Sequence, residues 1–156
     1  MNITIVYDSI FGNTGKIAKA IADTLESGND VRLATVQEAK SLDLADTDLL
    51  IVGSPTRGFR PTPQTSEYVE GLDRVPPGKA AAAFDTRIDL ETVNPAPLRW
   101  VVDAGGYAAA RIGSILERHG FVVKGGLAGF LVTGTEGPLK KGEIERAQEW
   151  SKGLLR

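Results

Sequence analysis

The sequence contains no cysteine and a single histidine, His119. Without thiols there is no disulfide, no thiolate nucleophile, no iron–sulfur cluster and no cysteine zinc site, and one imidazole cannot build a histidine-rich metal centre. No metal site is expected, and any redox chemistry has to come from an organic cofactor. Charge of one sign is also missing: Lys+Arg 18 against Asp+Glu 20 gives a formal net charge of −2. A nucleic-acid partner therefore has no electrostatic support at the level of the whole chain. No apolar run is long enough for a bilayer-spanning helix, and Met1 leads straight into a strand pattern instead of a basic segment, a long apolar run and a cleavage site. The expectation is a soluble cytoplasmic protein with no membrane insertion, since a chain without cysteine suits a reducing compartment.

What is present has the proportions of one compact domain over residues 1–156, with 42% hydrophobic and 24% charged residues. A chain of this length buries roughly two-thirds of its extended-state surface. Four apolar runs carry a strand signal: Ile3–Tyr7, Asp48–Gly53, Lys79–Phe84 and Leu127–Val132. They are nearly continuous and not alternating, as in strands covered on both faces. Asp30–Ala34 alternates polar and apolar residues and suits an edge strand. The alanine-rich run could be helical by propensity, but Pro76, Pro77 and Gly78 punctuate its start and it is short. Between the runs, Ile17, Ala20, Ile21 and Leu25 recur at helical spacing, as do Tyr68, Val69 and Leu72. Ala108, Ile112, Ile115 and Leu116 form a stripe in a helix from about Ala104 to His119, ended by Gly120, and Ile144, Ala147, Trp150 and Leu154 form another. Strand and helix alternate, which predicts an open parallel sheet with right-handed crossovers and helices on both faces. Arg87–Val102, with Pro95 and Pro97, shows neither period and reads as a long surface loop, with Trp100 in a small cluster of its own.

The most informative segment lies after the first strand: Tyr7-Asp8-Ser9-Ile10-Phe11-Gly12-Asn13-Thr14-Gly15-Lys16. A helix starting at Thr14 or Gly15 would present unpaired N–H groups and the positive end of its dipole to an anion. Ser9 and Thr14 add hydroxyl donors, Asn13 an amide, and Gly12 a close backbone approach. An ordinary capped helix after a tight turn has the same outline. Other phosphate loops fit worse. Lys16 is followed by Ile17 and not Ser or Thr, no Gly-x-Gly-x-x-Gly comes after the first strand, and the third strand ends in Gly53-Ser54 where a response-regulator receiver needs an acid. The missing cysteine excludes low-molecular-weight phosphatases.

The loop Ser9-Ile10-Phe11-Gly12-Asn13-Thr14 resembles the Thr/Ser-x-Thr-Gly-Asn-Thr phosphate loop of the flavodoxin family, departing from it at Phe11. Element order, spacing and length agree over nearly the whole chain. The resemblance implies a three-layer α/β/α fold with a five-stranded parallel sheet of order 2-1-3-4-5 and FMN beyond the strand C-termini. It implies that Ser9, Ile10, Phe11, Gly12, Asn13 and Thr14 hold the phosphate. Two further loops, containing Pro55, Thr56, Arg57, Gly58 and Phe59, and Asp85, Thr86 and Arg87, would then flank the isoalloxazine ring. In the family a glycine in the first of these loops lets a peptide turn toward flavin N5, and Gly58 is its counterpart. The tyrosine that many family members carry after the fourth strand has no immediate counterpart; Tyr107 or Trp100 could swing in toward the ring, but Tyr107 is expected in the next helix and Trp100 in the loop's own cluster. Arg57, Arg60 and Arg87 lie on the two loops, each either solvated and paired with Asp85, Asp89 or Glu67, or together favouring an anionic partner, an anionic substrate or an anionic reduced flavin. The expected function is electron transfer through non-covalently bound FMN to a redox partner protein, with no catalytic side chain assigned. The alternatives are an NAD(P)H-dependent FMN reductase or quinone oxidoreductase acting on a small anionic or quinone substrate, and a flavodoxin-like interaction module without cofactor. Oligomeric state is left open.

Overall fold

The computed structural model describes residues 1–75 and 78–156; Pro76 and Pro77, expected to punctuate the start of the fourth strand, lie outside the described residues. The elements run β1 (Asn2–Tyr7), α1 (Asn13–Leu25), β2 (Asp30–Thr35), α2 (Val36–Ala39), β3 (Leu49–Pro55), α3 (Pro63–Glu70), β4 (Ala80–Ile88), α4 (Pro97–Gly105), α5 (Ala108–Arg118), β5 (Val122–Val132) and α6 (Glu143–Gly153). The five strands form one parallel sheet of order β2-β1-β3-β4-β5, as the sequence led us to expect. Ala80–Phe84 is a strand despite its alanines, because both faces of this central position are covered and small side chains let the layers approach.

Each face of the sheet carries its own core. On one side Ile3, Ile5 and Ile51 meet Ile17 and Ile21 of α1 and Ala147 of α6; on the other Val6, Leu50 and Val52 meet Tyr68 and Val69 of α3 and Ile112 and Leu116 of α5. Burying one such aliphatic side chain is worth roughly 1.5–3 kcal/mol. The Tyr68 hydroxyl is buried without a hydrogen-bond partner among the described residues, and burial pushes its pKa up to about 12. Tyr68→Phe should therefore stabilise the fold by about 1 kcal/mol, read as a rise in Tm of roughly 2–4 °C.

Four expectations are corrected. The stretch Arg87–Val102 is not a plain loop, for β4 continues through Ile88, a 3-10 turn covers Leu90–Thr92 and α4 starts at Pro97. Proline at the first helical position is compatible with helix, since the N–H it lacks would be unpaired there anyway. The expected helix from Ala104 is accordingly two helices parted at Gly106 and Tyr107. Trp100 belongs to no cluster: it is 77% exposed on α4. The last strand starts earlier than expected, at Val122, because its register with β4 slips between Ala81 and Ala83 and accommodates Gly125-Gly126 as an irregularity, not a chain break.

The sheet's far edge is fixed to α6 by charge. The Glu143 carboxylate accepts the Leu131 N–H at 2.6 Å and pairs with Arg146, while Asp89 pairs with Lys140 at 2.9 Å. Burial works to raise the Glu143 pKa, but Arg146 and the Leu131 N–H outweigh it and hold the carboxyl below its ordinary value; Lys140 does the same for Asp89. Groups lowered in the folded state contribute stability above their ordinary values of 4.5 and 3.8 that is lost as pH falls through the folded ones. In urea unfolding the contribution of these two carboxylates should thus be constant from pH 7 to 5 and decline below about 4.5. Glu143→Gln should make that decline shallower.

Candidate functional site

The C-terminal ends of β1, β3, β4 and β5 open on one cleft, with a cavity of about 330 Å³. This is the crevice where strand order reverses and open α/β sheets leave room for ligands. Its first wall is the β1–α1 loop. Gly12 caps α1 with φ 93, a left-handed conformation that costs an L side chain about 1–2 kcal/mol. Ser9 Oγ accepts the N–H groups of Gly12 (3.1 Å) and Gly15 (3.2 Å), which fixes the loop and leaves the Ser9 hydroxyl proton to donate elsewhere. The N–H groups of Ile10, Phe11, Asn13 and Thr14 have no hydrogen-bond partner among the described residues. Asp8, the acid beside them, is occupied elsewhere: it accepts from Ser9 N–H and from the Thr62 hydroxyl at the start of α3.

The second wall is the β3–α3 loop. Arg57 and Arg60 exchange both backbone hydrogen bonds across Gly58 and Phe59, whose φ values are 54 and 69. Left-handed conformations at both central positions define a two-residue turn of the primed type. Phe59 is the sole non-glycine residue with positive φ among the described residues. The strain is offset by contacts: the Phe59 ring lies so close to Gly105 of α4 that a Cβ there would overlap it, and the Phe59 carbonyl accepts from Arg111. Arg57 lies over the exposed Phe11 ring, 5.5 Å from its centroid.

The third wall comes from β4, α4 and the start of α5. Thr86 points toward α1, sharing a 2.8 Å hydrogen bond with Thr14. Asp85 and Arg87 point the other way and form a two-pronged pair, Nε to Oδ1 and Nη2 to Oδ2, both at 2.7 Å. Asp85 is fully buried and also accepts the Ala109 N–H. Burial pushes its carboxyl pKa up, and the Arg87 guanidinium and the Ala109 N–H offset part of that rise. Tyr107 covers the Arg87 guanidinium at 3.7 Å from its ring centroid and donates its own hydroxyl to Asp103 at 2.8 Å. Desolvation and Asp103 push the phenol up to about 12, so it is protonated at neutral pH.

Of the residues picked from sequence, Ser9, Ile10, Phe11, Asn13 and Thr14 line the cavity, as do Pro55 through Phe59, Thr86 and Arg87. Gly12 does not, serving as the helix cap, and neither does Asp85, which strand alternation turns beneath Arg87. Asn13 is present but its amide is committed: Nδ2 donates to the Glu136 carbonyl at 3.1 Å, tying the loop after β5 over the cleft. Arg87 is paired with Asp85 as one of the two readings had it, so the rim cations without an ion pair among the described residues are Arg57, Arg60 and Arg111. Tyr107, favoured for the next helix over the ring, caps that helix and lines the cavity, whereas sequence reading missed Val102 and the segment Val132, Gly134 and Thr135. The last was findable, since Gly134-Thr135-Glu136-Gly137-Pro138 is turn chemistry at the end of a parallel strand.

Among the described residues no helix is long and apolar enough to cross a membrane, and no group of acidic and histidine side chains could hold a metal ion. A flavodoxin of Aquifex aeolicus (strain VF5) is 43% identical over 56 residues, which is 35% of this chain and 30% of that protein; the match thus spans under a third of the relative's length. A flavodoxin from the domain Archaea superposes with a TM-score of 0.73 at 19% identity, covering 100% of both chains. Oxidised Flavodoxin 1 from Bacillus cereus gives 0.69 at 18% identity over 99% of this chain and 97% of that one. Rubredoxin oxygen:oxidoreductase from Desulfovibrio gigas gives 0.70 at 21% identity, covering 98% of this chain but 35% of that longer one. At such identities the structural likeness establishes the fold. The family model described as Flavodoxin domain matches residues 4–87, more than half of the chain, and the chain belongs to that family.

Proposed function

We propose that this chain binds FMN in the cleft and acts as an electron-transfer protein. The observation that carries the reading is the set of unused donors at the start of α1. Four backbone N–H groups, the Ser9 hydroxyl and a helix dipole converge on one side of a cleft whose other side is lined by Phe59, Tyr107 and Arg87. That donor chemistry fits a terminal phosphate dianion, and no basic side chain is needed to hold it. The apolar and aromatic side fits a flat conjugated ring. When bound, FMN supplies the redox chemistry, passing electrons singly or in pairs. Residues of the chain bind and shield it: Ser9 and Thr14 with the loop N–H groups hold the phosphate, the Gly58–Phe59 turn forms one edge, and the Glu136 tether to Asn13 closes the end near β5. The exposed Ile10 and Phe11 and the cations Arg57, Arg60 and Arg111 at the rim suit an anionic redox partner protein. A cytoplasmic location belongs to this reading.

The test is electron delivery. FMN-loaded protein, chemically reduced without oxygen and then mixed with a one-electron acceptor such as cytochrome c, should reduce the acceptor within the mixing experiment. Steady-state consumption of NAD(P)H with quinone as the acceptor would favour the oxidoreductase instead. A purified protein that takes up no FMN would leave only the interaction module.

A further inference from the structure

The Arg87 side chain is held more firmly than a phosphate-steering cation needs to be. Two prongs of its guanidinium are bound to Asp85, Tyr107 covers one face, and Gly129 of β5 lies against it so closely that a Cβ there would overlap the guanidinium. Nη1 has no partner among the described residues, and the residue lines the cavity. Because the fully buried Asp85 carboxylate matches its charge, Arg87 exerts little long-range pull on an anion. It retains Nη1 as a fixed donor nitrogen whose ordering cost has been met in advance, and the planar fork loses little freedom on binding.

We infer that Arg87 determines ring specificity: clamped by Asp85, Tyr107 and Gly129, it offers its free Nη1 as hydrogen-bond donor to a neutral, delocalised acceptor such as a conjugated ring carbonyl, and takes no part in holding phosphate. This rests on the proposal that the cleft binds FMN. Thr86 and Arg87 are neighbours on β4 that face opposite ways, Thr86 to Thr14 and the phosphate wall, Arg87 to α5 and β5. Adjacent strand positions thereby read the two ends of one ligand. Asp85 and Gly129, directly paired across β4 and β5, are positioning residues that act through Arg87.

The test compares two ligands that differ only by the phosphate. Removing Arg87 alone would strand the buried Asp85, so the variant of choice is Arg87→Met with Asp85→Asn, which leaves neither charge without its partner. Titrated as apoprotein, it should bind FMN and riboflavin each about tenfold or more weakly, by the same factor, leaving their affinity ratio unchanged. Gly129→Ala, which keeps every charge but displaces the guanidinium, should reproduce that pattern. A purely structural role would show as a lowered Tm with both affinities intact. That outcome overturns the inference, and so does a change confined to FMN, which would place Arg87 on the phosphate. Failure of the wild-type apoprotein to bind either flavin would overturn the FMN proposal and this inference together, whereas wild-type binding with indifferent variants overturns only the latter.

Discussion

Ser9→Ala should lower FMN affinity by about two to three orders of magnitude while changing riboflavin affinity only a few-fold. The side chain does two things at once. Its oxygen accepts the Gly12 and Gly15 N–H groups, holding the loop in the shape that presents the other donors, and its proton is left to donate to the phosphate. A hydrogen bond to a charged acceptor contributes roughly 1.5–3 kcal/mol, and loosening the loop costs part of the neighbouring ones as well. A loss of about 3–4 kcal/mol corresponds to the stated factor. Thr14→Ala should cost less, since its hydroxyl is shared with Thr86, and Asn13→Ala should act through the Glu136 loop instead of the phosphate. Fluorescence titration of each apoprotein checks the series, and a Ser9→Ala protein with wild-type FMN affinity would remove the phosphate from this loop.

The second large effect is on the fold. Gly53 sits on β3 between Tyr7 and Phe84 in register, and a Cβ placed there would run into the Phe84 ring. That ring is fully buried and meets Phe130 and Trp150 edge to face, with centroids 6.1 and 6.2 Å away. It has no free direction in which to yield, so Gly53→Ala should destabilise at the upper end of the usual overpacking range, by about 3 kcal/mol. Thermal unfolding should fall by roughly 6–12 °C. Adding Phe84→Leu, which removes the part of the ring that collides, should recover part of the loss, and additive effects in the double variant would mean that the two positions do not collide.

Legibility in the sequence tracked the range of the forces involved. The sheet could be read because strands buried on both faces show as continuous apolar runs, and the phosphate wall because capping chemistry is local to Ser9–Thr14. The Asp85–Arg87 pair was legible as one of two readings, but the packing of Tyr107 and Gly129 around it was not, for that depends on α4 and α5 parting at Gly106, on a glycine one strand away, and on which way β4 turns each side chain. Gly58 was legible as a turn glycine, but the left-handed Phe59 beside it was not, since contacts with Gly105 and Arg111, both more than forty residues on, hold it there. Asn13 shows the same limit from the other side. Its place in the motif was visible, and its bond to Glu136, 123 residues away, was not.

The central claim is that the cleft selects FMN by its phosphate. The measurement that tests it most directly is a parallel fluorescence titration of the wild-type apoprotein with FMN and with riboflavin, at low and at high salt. One equivalent of FMN should bind at least about a hundredfold more tightly than riboflavin, because the phosphate hydrogen bonds are absent from the latter, and the gap should persist at high salt because short hydrogen bonds, not long-range charge, create it. Equal affinities for the two ligands would contradict the claim.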